Sequence, residues 1–328
     1  MSELALALYA ASQDAHAVDR DRGSARFVAY LDGFDEAGER SRLAAAGIHW
    51  LPRSDPGFPP RLRSIHDPPP GLFLRGHADP TVLAGTGVAI VGARACSDYG
   101  AHVARSLARE LASAGVIVIS GLARGVDGWA HRGSLDAGGV TVAVLGCGID
   151  RDYPRAHASL AAELAVTGLI VSEYPPGVAP APWRFPARNR IVSGLAVATV
   201  VVEARERSGA LITADLALEE GREVLAVPGE ITSALSQGSN GLLRLGATPV
   251  TSAADVLEAI GIDAPPSPGG SEPTGPAAAA ALAALDRGAA TADQISRATG
   301  LEAGAVAAAL VELELAGLVE AAAGVYRR

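Results

Sequence analysis

The chain has 328 residues and a formal net charge of −9, with 49% apolar and only 4% aromatic residues. That length suits one sizeable core with one or two small domains, and an Ala-, Gly- and Val-rich composition favours closely packed α/β layers over an aromatic-rich sandwich. The acidic balance excludes a surface coated in basic patches, so any polyanion has to be met locally by a few cations and backbone dipoles.

All 27 basic residues are arginine, which removes Schiff-base and amine general-base chemistry. Cys96 and Cys147 have neither metal-ligand spacing nor a disulfide framework, so no metal is expected and a reducing cytoplasm is the simplest compartment. Gly or charge breaks the apolar runs before they could span a bilayer, and no export signal opens the chain, so no membrane partner is expected.

In chain order, residues 1–49 show weak helical periodicity through Leu4, Leu8 and Ala11, then Phe27, Leu31 and Phe34, then Leu43 and Ala46. They are expected to form a short helical segment with little to hold it together. Residues 50–87 are expected to be a connector without chemistry, extended over its Pro-rich part from Trp50 to Asp79. The α/β body then begins with the strand Val88 to Gly92, followed by Ala93-Arg94 and a helix with Val103, Leu107 and Leu111 on its apolar face. Strands at 116–120, 141–146 and 168–177 follow, each with a Gly- or Ser-rich exit and alternating with helices. This alternation specifies a doubly wound, mostly parallel sheet whose strand exits converge on one crevice.

The stretch from Phe185 to Gly229 concentrates the chemistry. Arg188-Asn189-Arg190 lies beside Trp183, Arg184 and Phe185. An apolar strand from Val197 to Val202 ends on Glu203, and Ser208-Gly209 opens a helix with Leu211, Ala214 and Leu218 on one face. A last strand, Val224 to Val227, stops at Pro228-Gly229. A helix start presents free N–H groups to anions, arginine forks bind phosphate, and an aromatic ring stacks on any base. The same residues could equally form a capped, solvated helix packed by its aromatics.

Other site chemistries lack their parts. Gly92-Ala93-Arg94 lacks the spacing of a dinucleotide fingerprint, a Walker A loop requires a lysine, and no strand-exit serine sits in a hydrolase elbow. His102 and His131 have no ligand or carboxylate at useful spacing and read as surface or packing residues. No catalytic residue and no cofactor are expected.

Eight motifs in sequence carry a resemblance: Gly92-Ala93-Arg94 with Ser97 and Gly100, SGLARGVDGWAH (120–131), VLGCGIDRDYP (144–154), SEYPPG (172–177), FPARNRIVSGL (185–195), VVEARERSGALIT (201–213), AVPG (226–229) and QGSNGLLRLGA (237–247). Over roughly residues 50–260 the chain resembles the DNA-processing protein A family, DprA, also called Smf. The resemblance implies an extended Rossmann-like domain, 50–261, that binds single-stranded DNA in a positively charged pocket. It also implies a homodimer that helps load RecA recombinase on incoming strands during natural transformation. By the same resemblance, Arg94 and Arg188-Asn189-Arg190 would hold phosphates, with Phe185 as the base-stacking aromatic and Trp183 as its local substitute. Gly92, Ser120, Gly121, Ser172, Ser208, Gly209 and Thr213 would supply donors and close backbone. Glu203, Pro228, Gly229 and Asn240 would support the pocket. The chain departs from the family at the front, where members often carry a well-formed helical domain.

Residues 262–276 read as a Pro/Gly/Ser linker. Beyond it, 277–328 carries helical patterns at 277–287, 292–299 and 302–315 and a small wing, and so resembles a winged helix. Its third helix holds Glu302, Glu312 and Glu314 and no arginine, which favours protein contact over duplex binding. Two other readings remain open: a nucleotide-binding or nucleotide-hydrolysing enzyme or sensor using Glu203 as acid or nucleophile, and a structural adaptor whose arginines are solvated surface.

Overall fold

Runs of β-branched and aliphatic residues bounded by glycine form the centre of the protein, which was analysed as a computed structural model. The structure describes residues 2–15, 23–263, 275–288, 290–315, 318–322 and 324–327. They fall into two units, Met1–Asp263 and Ala264–Arg328.

Unit one opens with helices α1 (Glu3–Ser12), α2 (Ala25–Asp32) and α3 (Glu36–Ala45), followed by strand β1 (His49–Pro52), a single helical turn α4 (Pro60–Arg63) and β2 (Gly71–Gly76). Strand–helix alternation then runs β3 (Gly87–Val91), α5 (Asp98–Ser113), β4 (Ile117–Ser120), α6 (Val126–Asp136), β5 (Thr141–Leu145), α7 (Ala158–Thr167) and β6 (Leu169–Ser172). It continues with α8 (Arg184–Leu195), β7 (Ala198–Val201), α9 (Gly209–Glu219), β8 (Glu223–Ala226), α10 (Gln237–Arg244), β9 (Thr248–Pro249) and α11 (Ala253–Ala259).

The sheet order is β1-β2-β6-β5-β4-β3-β7-β8-β9. From β6 to β9 the neighbours are parallel, while β2 runs antiparallel to both β6 and β1. The chain steps outward from β3 to β6, then returns to place β7 on the other side of β3. That reversal opens a crevice at the strands' carboxyl ends, the place where such sheets bind ligands. Alternate residues serve opposite faces, as the strand period of two requires. Ala89 and Val91 pack with Ile191 and Leu195 of α8 and Ala214 of α9. Val88 and Ile90 pack with Leu107 and Leu111 of α5 and Ala130 of α6.

Three expectations need correction. The stretch 50–87 is not an extended connector: it supplies β1 and β2, whose Trp50 and Phe73 rings meet at 4.5 Å inside the third core cluster. Its prolines are compatible with this because Pro52 ends an edge strand and Pro68 to Pro70 precede β2, so none interrupts a central ladder. The N-terminal segment is also well anchored. α1 sends Leu4 and Ala7 into that third cluster and Ala5 and Leu6 into a second one with Phe27, so it is covered on two sides and its periodicity is weak. In α9 the buried residues are Ala210, Thr213, Ala214 and Ala217, whereas Leu218 is 56% exposed. Small side chains let this helix lie close to its neighbours, while Ile212 and Leu218 are exposed and Leu211 packs at the edge of the core.

The second unit has α12 (Pro276–Asp286), α13 (Ala292–Thr299), α14 (Ala303–Leu315) and a hairpin of β10 (Glu320–Ala322) and β11 (Val325–Arg327). Val306, Leu310 and Leu313 of α14 close on Ala281 and Ile295. Among the described residues no helix is long and apolar enough to cross a membrane.

Phe73 is fully buried, so Phe73→Ala is expected to lower the unfolding free energy by about 3–5 kcal/mol. Urea denaturation measures this, and a loss well under 1 kcal/mol would return β2 to the role of a peripheral connector.

Candidate nucleic-acid interface

The crevice is built from strand exits. After β3, Gly92-Ala93-Arg94 leaves the sheet and rests on the start of α6, where Val126 N–H donates to the Ala93 carbonyl at 3.2 Å. The fit requires glycine at 125, which has φ +76°: a Cβ there would lie 2.2 Å from that carbonyl oxygen. Arg94 therefore projects, exposed, over the ring of Phe185 with its guanidinium 5.3 Å from the centroid. Phe185, in the first turn of α8, stacks in turn on Tyr153 at 5.6 Å and 26°.

Arg188 lies one turn further along α8, buried beneath this stack, and donates to the Val144 carbonyl. Burial pushes its guanidinium below the usual arginine range, while the Asp127 carboxylate pulls the other way. Burial raises Asp127 in turn, against Arg188 and the Ala123 N–H that donates to it at 3.2 Å. The two groups press on Gly121: a methyl there would meet Asp127 at 2.4 Å and Arg188 at 2.6 Å.

Two adjoining hollows of about 240 and 220 Å³ share Arg94, Ala123, Phe185 and Arg188. Arg124, Gly146, Cys147 and Tyr153 line the first. Gly92, Gly121, Asp127, Asn189, Ser208, Gly209 and Thr213 line the second. The second hollow ends on the start of α9, where Ser208 caps the helix by accepting from Ala210 N–H at 3.3 Å. Asn189 donates to the Gly209 carbonyl at 3.2 Å and so ties α8 to α9. Among the described residues Arg94 and Arg124 have no carboxylate at ion-pair distance, although Arg94 is near enough to Asp127 to favour its ionised form. The result is a cleft with two exposed guanidinium groups, a helix start and a ring stack, suited to an anion that carries flat groups.

Several predicted site residues lie elsewhere. Arg190 is 8% exposed and forks onto Glu173 at 2.9 and 2.8 Å, with Nε donating to the Asp67 carbonyl at 2.8 Å. It therefore ties α8 to the β6 exit and does not face the cleft. On a helix, residues two apart point roughly 200° away from each other, so Arg188 and Arg190 cannot serve one ligand. Ser120 and Ser172 are also corrected, since both hydroxyls are spent internally. Ser120 donates to the Ile90 carbonyl at 2.6 Å, and Ser172 donates to the Cys147 carbonyl at 2.7 Å. Trp183 packs edge-on against Tyr174 at 6.4 Å and beside Arg184, and it lines neither hollow.

Around the neighbouring exits, Glu203 accepts from Ser97 N–H at 2.9 Å and from its hydroxyl at 2.5 Å. Asn240 pairs with both the N–H and the carbonyl of Gly229, at 3.2 and 3.0 Å, and the Pro228 carbonyl accepts from Tyr99. Sequence reasoning missed Arg124, Asp127 and Tyr153 as cleft residues. Arg124 and Asp127 sit at the β4 exit, where the strand-exit rule that selected Arg94 would also have selected them. Tyr153 lies eight residues beyond β5, with no local signal that its ring would meet Phe185.

A family model for DNA recombination-mediator protein A matches residues 49–261, and a model for the DprA winged helix domain matches residues 263–325. The chain belongs to the DprA family. A putative DNA processing protein DprA of Mycobacterium tuberculosis is 45% identical over 276 residues, covering 81% of this chain and 70% of that protein. The DNA processing protein DprA of Bacillus subtilis is 43% identical over 213 residues, 65% of this chain and 71% of its own length. Among solved structures, DprA of Streptococcus pneumoniae superposes with a TM-score of 0.66 at 36% identity, over 78% of this chain and 92% of that one. DNA processing protein A of Helicobacter pylori, described for its mode of binding single-stranded DNA, gives a TM-score of 0.59 at 30% identity, over 65% and 95%. The DprA-family fold and winged helix account for both units of the chain.

Under the cleft, His131 is fully buried between the Gly121 carbonyl at 2.6 Å and the Thr141 hydroxyl at 2.7 Å. Burial favours the neutral form, in which Nε2–H donates to Gly121 and Nδ1 lies beside the Thr141 hydroxyl, itself a donor to the Val118 carbonyl at 2.8 Å. Burial pushes this imidazole down from 6.5 to about 4. An unfolded chain therefore binds a proton between those values that the folded one refuses. The stability involved is complete above pH 6.5 and is lost as pH falls toward 4, to the extent of about 3 kcal/mol. His131→Gln is expected to flatten that part of the stability–pH curve; an unchanged slope would reassign it. Arg190→Ala, which strands Glu173 in the core, is expected to cost about 3–5 kcal/mol in urea denaturation. If the Arg190 reading is right, the surviving folded protein keeps its anion affinity.

Proposed function

We propose that this chain binds single-stranded DNA in the cleft and passes it to RecA recombinase during DNA uptake. The observation that carries the reading is the hollow beside the start of α9 that Arg94, laid over the Phe185 ring, and Arg188 line together. Phosphates would meet Arg94, Arg188, Asn189 and the backbone at Gly92, Gly121, Ser208 and Gly209, with Thr213 behind them. Bases would stack on Phe185, a contact that needs no particular sequence. The single-stranded DNA binding described for the Helicobacter pylori relative, 30% identical, supports this assignment.

The role is binding, not catalysis. Glu203, the carboxylate an enzyme reading would call on, is held by Ser97, and Asp127 is committed beside Arg188. We further propose a cytoplasmic homodimer that hands its strand to RecA, and a winged helix that contacts protein. α14 offers no arginine to a major groove, and Glu312 is taken up by the Gly275 N–H at 3.2 Å.

Fluorescence anisotropy with oligo-dT tests the cleft. Arg94→Ala and Phe185→Ala are each expected to weaken binding roughly tenfold at low salt, as losses of a phosphate contact and of a stacking contact. Arg94→Ala should also make the salt dependence shallower by about 0.7 in log–log slope. Equal affinity for duplex, or no loss in either variant, would refute the assignment. RecA filament assembly on oligonucleotide precoated with this protein tests delivery, and no acceleration would remove that part.

A further inference from the structure

Beyond the cleft, the second turns of α5 and α6 carry a second set of arginines ordered on an aromatic ring. Trp129 is partly buried against the α5 side of the core, with the Arg132 guanidinium 5.2 Å and the Arg105 guanidinium 5.9 Å from its ring centroid. Arg105 is also paired with Asp136 at 2.6 Å. Arg132 donates to the Gly128 carbonyl at 3.3 Å and meets no carboxylate at ion-pair distance among the described residues.

This surface adjoins the cleft. Arg105 lies 7 residues into α5 (105 minus 98) and Arg132 lies 6 into α6 (132 minus 126), and both helices begin at exits that build the cleft. At about 1.5 Å per residue each guanidinium stem starts roughly 10 Å down from the crevice. The ground between is bridged by His157, whose Nδ1 meets the carbonyl of the cleft-wall residue Leu122 at 3.1 Å. On its other side, a methyl at Gly128 would touch both His157 at 2.6 Å and Arg132 at 3.3 Å. From Arg94 and Phe185 the path thus passes the exposed Arg124 and, over buried His157, which feels the charge of both Arg124 and Arg132, reaches Arg132 and Trp129.

We propose that the Arg132–Trp129–Arg105 strip is a second contact for the polynucleotide, gripping the backbone of nucleotides that have left the cleft. This rests on the single-strand reading of the cleft. A guanidinium laid on a ring is already ordered, so less side-chain freedom is lost when it meets a phosphate. The pairing repeats that of Arg94 on Phe185, and a strand leaving the cleft past Arg124 meets this strip next. An acidic protein has little else to offer a backbone there.

Oligonucleotide length separates the two contacts. With oligo-dT of about four nucleotides, the low end of single-strand site sizes, only the cleft is filled, whereas about twenty nucleotides reach the strip. Arg105→Gln with Arg132→Gln is expected to weaken the long oligonucleotide roughly tenfold, to reduce its salt slope by about 1.4, and to leave the short one unchanged. Trp129→Leu should show the same length-selective loss and Trp129→Phe should largely restore binding, while urea denaturation reports any loss of fold separately. Arg94→Ala should weaken both lengths. If it does and the strip variants change both lengths or neither, the strip proposal is overturned. If Arg94→Ala changes neither length, the cleft reading itself fails and takes the exit path with it.

Discussion

A buried guanidinium has to be matched by charge and by oxygen, and the architecture around Arg188 follows from that requirement. Its partners arrive from two neighbouring strands: the Val144 carbonyl from the end of β5, and close-packed Gly121 and Asp127 from the segment that follows β4. Each exit is thereby fixed against α8. Arg94 and Phe185 sit above a floor that cannot shift without stranding a charge in low dielectric, where the cost is several kcal/mol. The cleft is thus held in shape before any ligand arrives, which lowers the ordering cost of binding.

The second buried arginine works in the opposite sense. Arg190, with Glu173 and Asp67 around it, is held above the usual arginine range by these carboxylates despite its burial. It is saturated, so it offers a ligand nothing and serves to hold α8 in register with β6. Two arginines two residues apart in sequence thus divide the work: Arg188 at the floor of the cleft, Arg190 behind it. Helical geometry makes that division unavoidable, and only the recognition that 184–195 is a helix reveals it.

That also explains what could be read from residues alone. The parallel body was legible because the central strands are short aliphatic runs, β3 to β6 closed by Gly or Ser, and the start of α9 was legible from Ser208-Gly209. The antiparallel strands β1 and β2 were not, because prolines at their margins mask edge strands as connector. α1 escaped because a helix covered on two sides loses its periodicity. Within the site, Arg94 was legible from its strand exit, whereas Ser120 and Ser172 misled. A serine at a strand end can bond inward as readily as outward, and both turn inward to neighbouring carbonyls.

The net charge of −9 sets how such a cleft can work. At physiological salt, fields are screened within about 8 Å, so the acidic remainder of the surface neither steers a polyanion in nor repels it strongly once it arrives. Attraction then has to come from contact: guanidinium forks, helix N–H groups and ring faces that act within a few ångströms. Arg94 and Arg124 can do this because they are exposed and, among the described residues, have no carboxylate at ion-pair distance, while many of the other arginines sit beside carboxylates, as Arg40, Arg42 and Arg75 do. The selectivity for an unpaired strand that we propose would rest on the same geometry. The Phe185 ring is reached by a base that has left its stack, and a duplex would have to give up pairing and stacking to place one there.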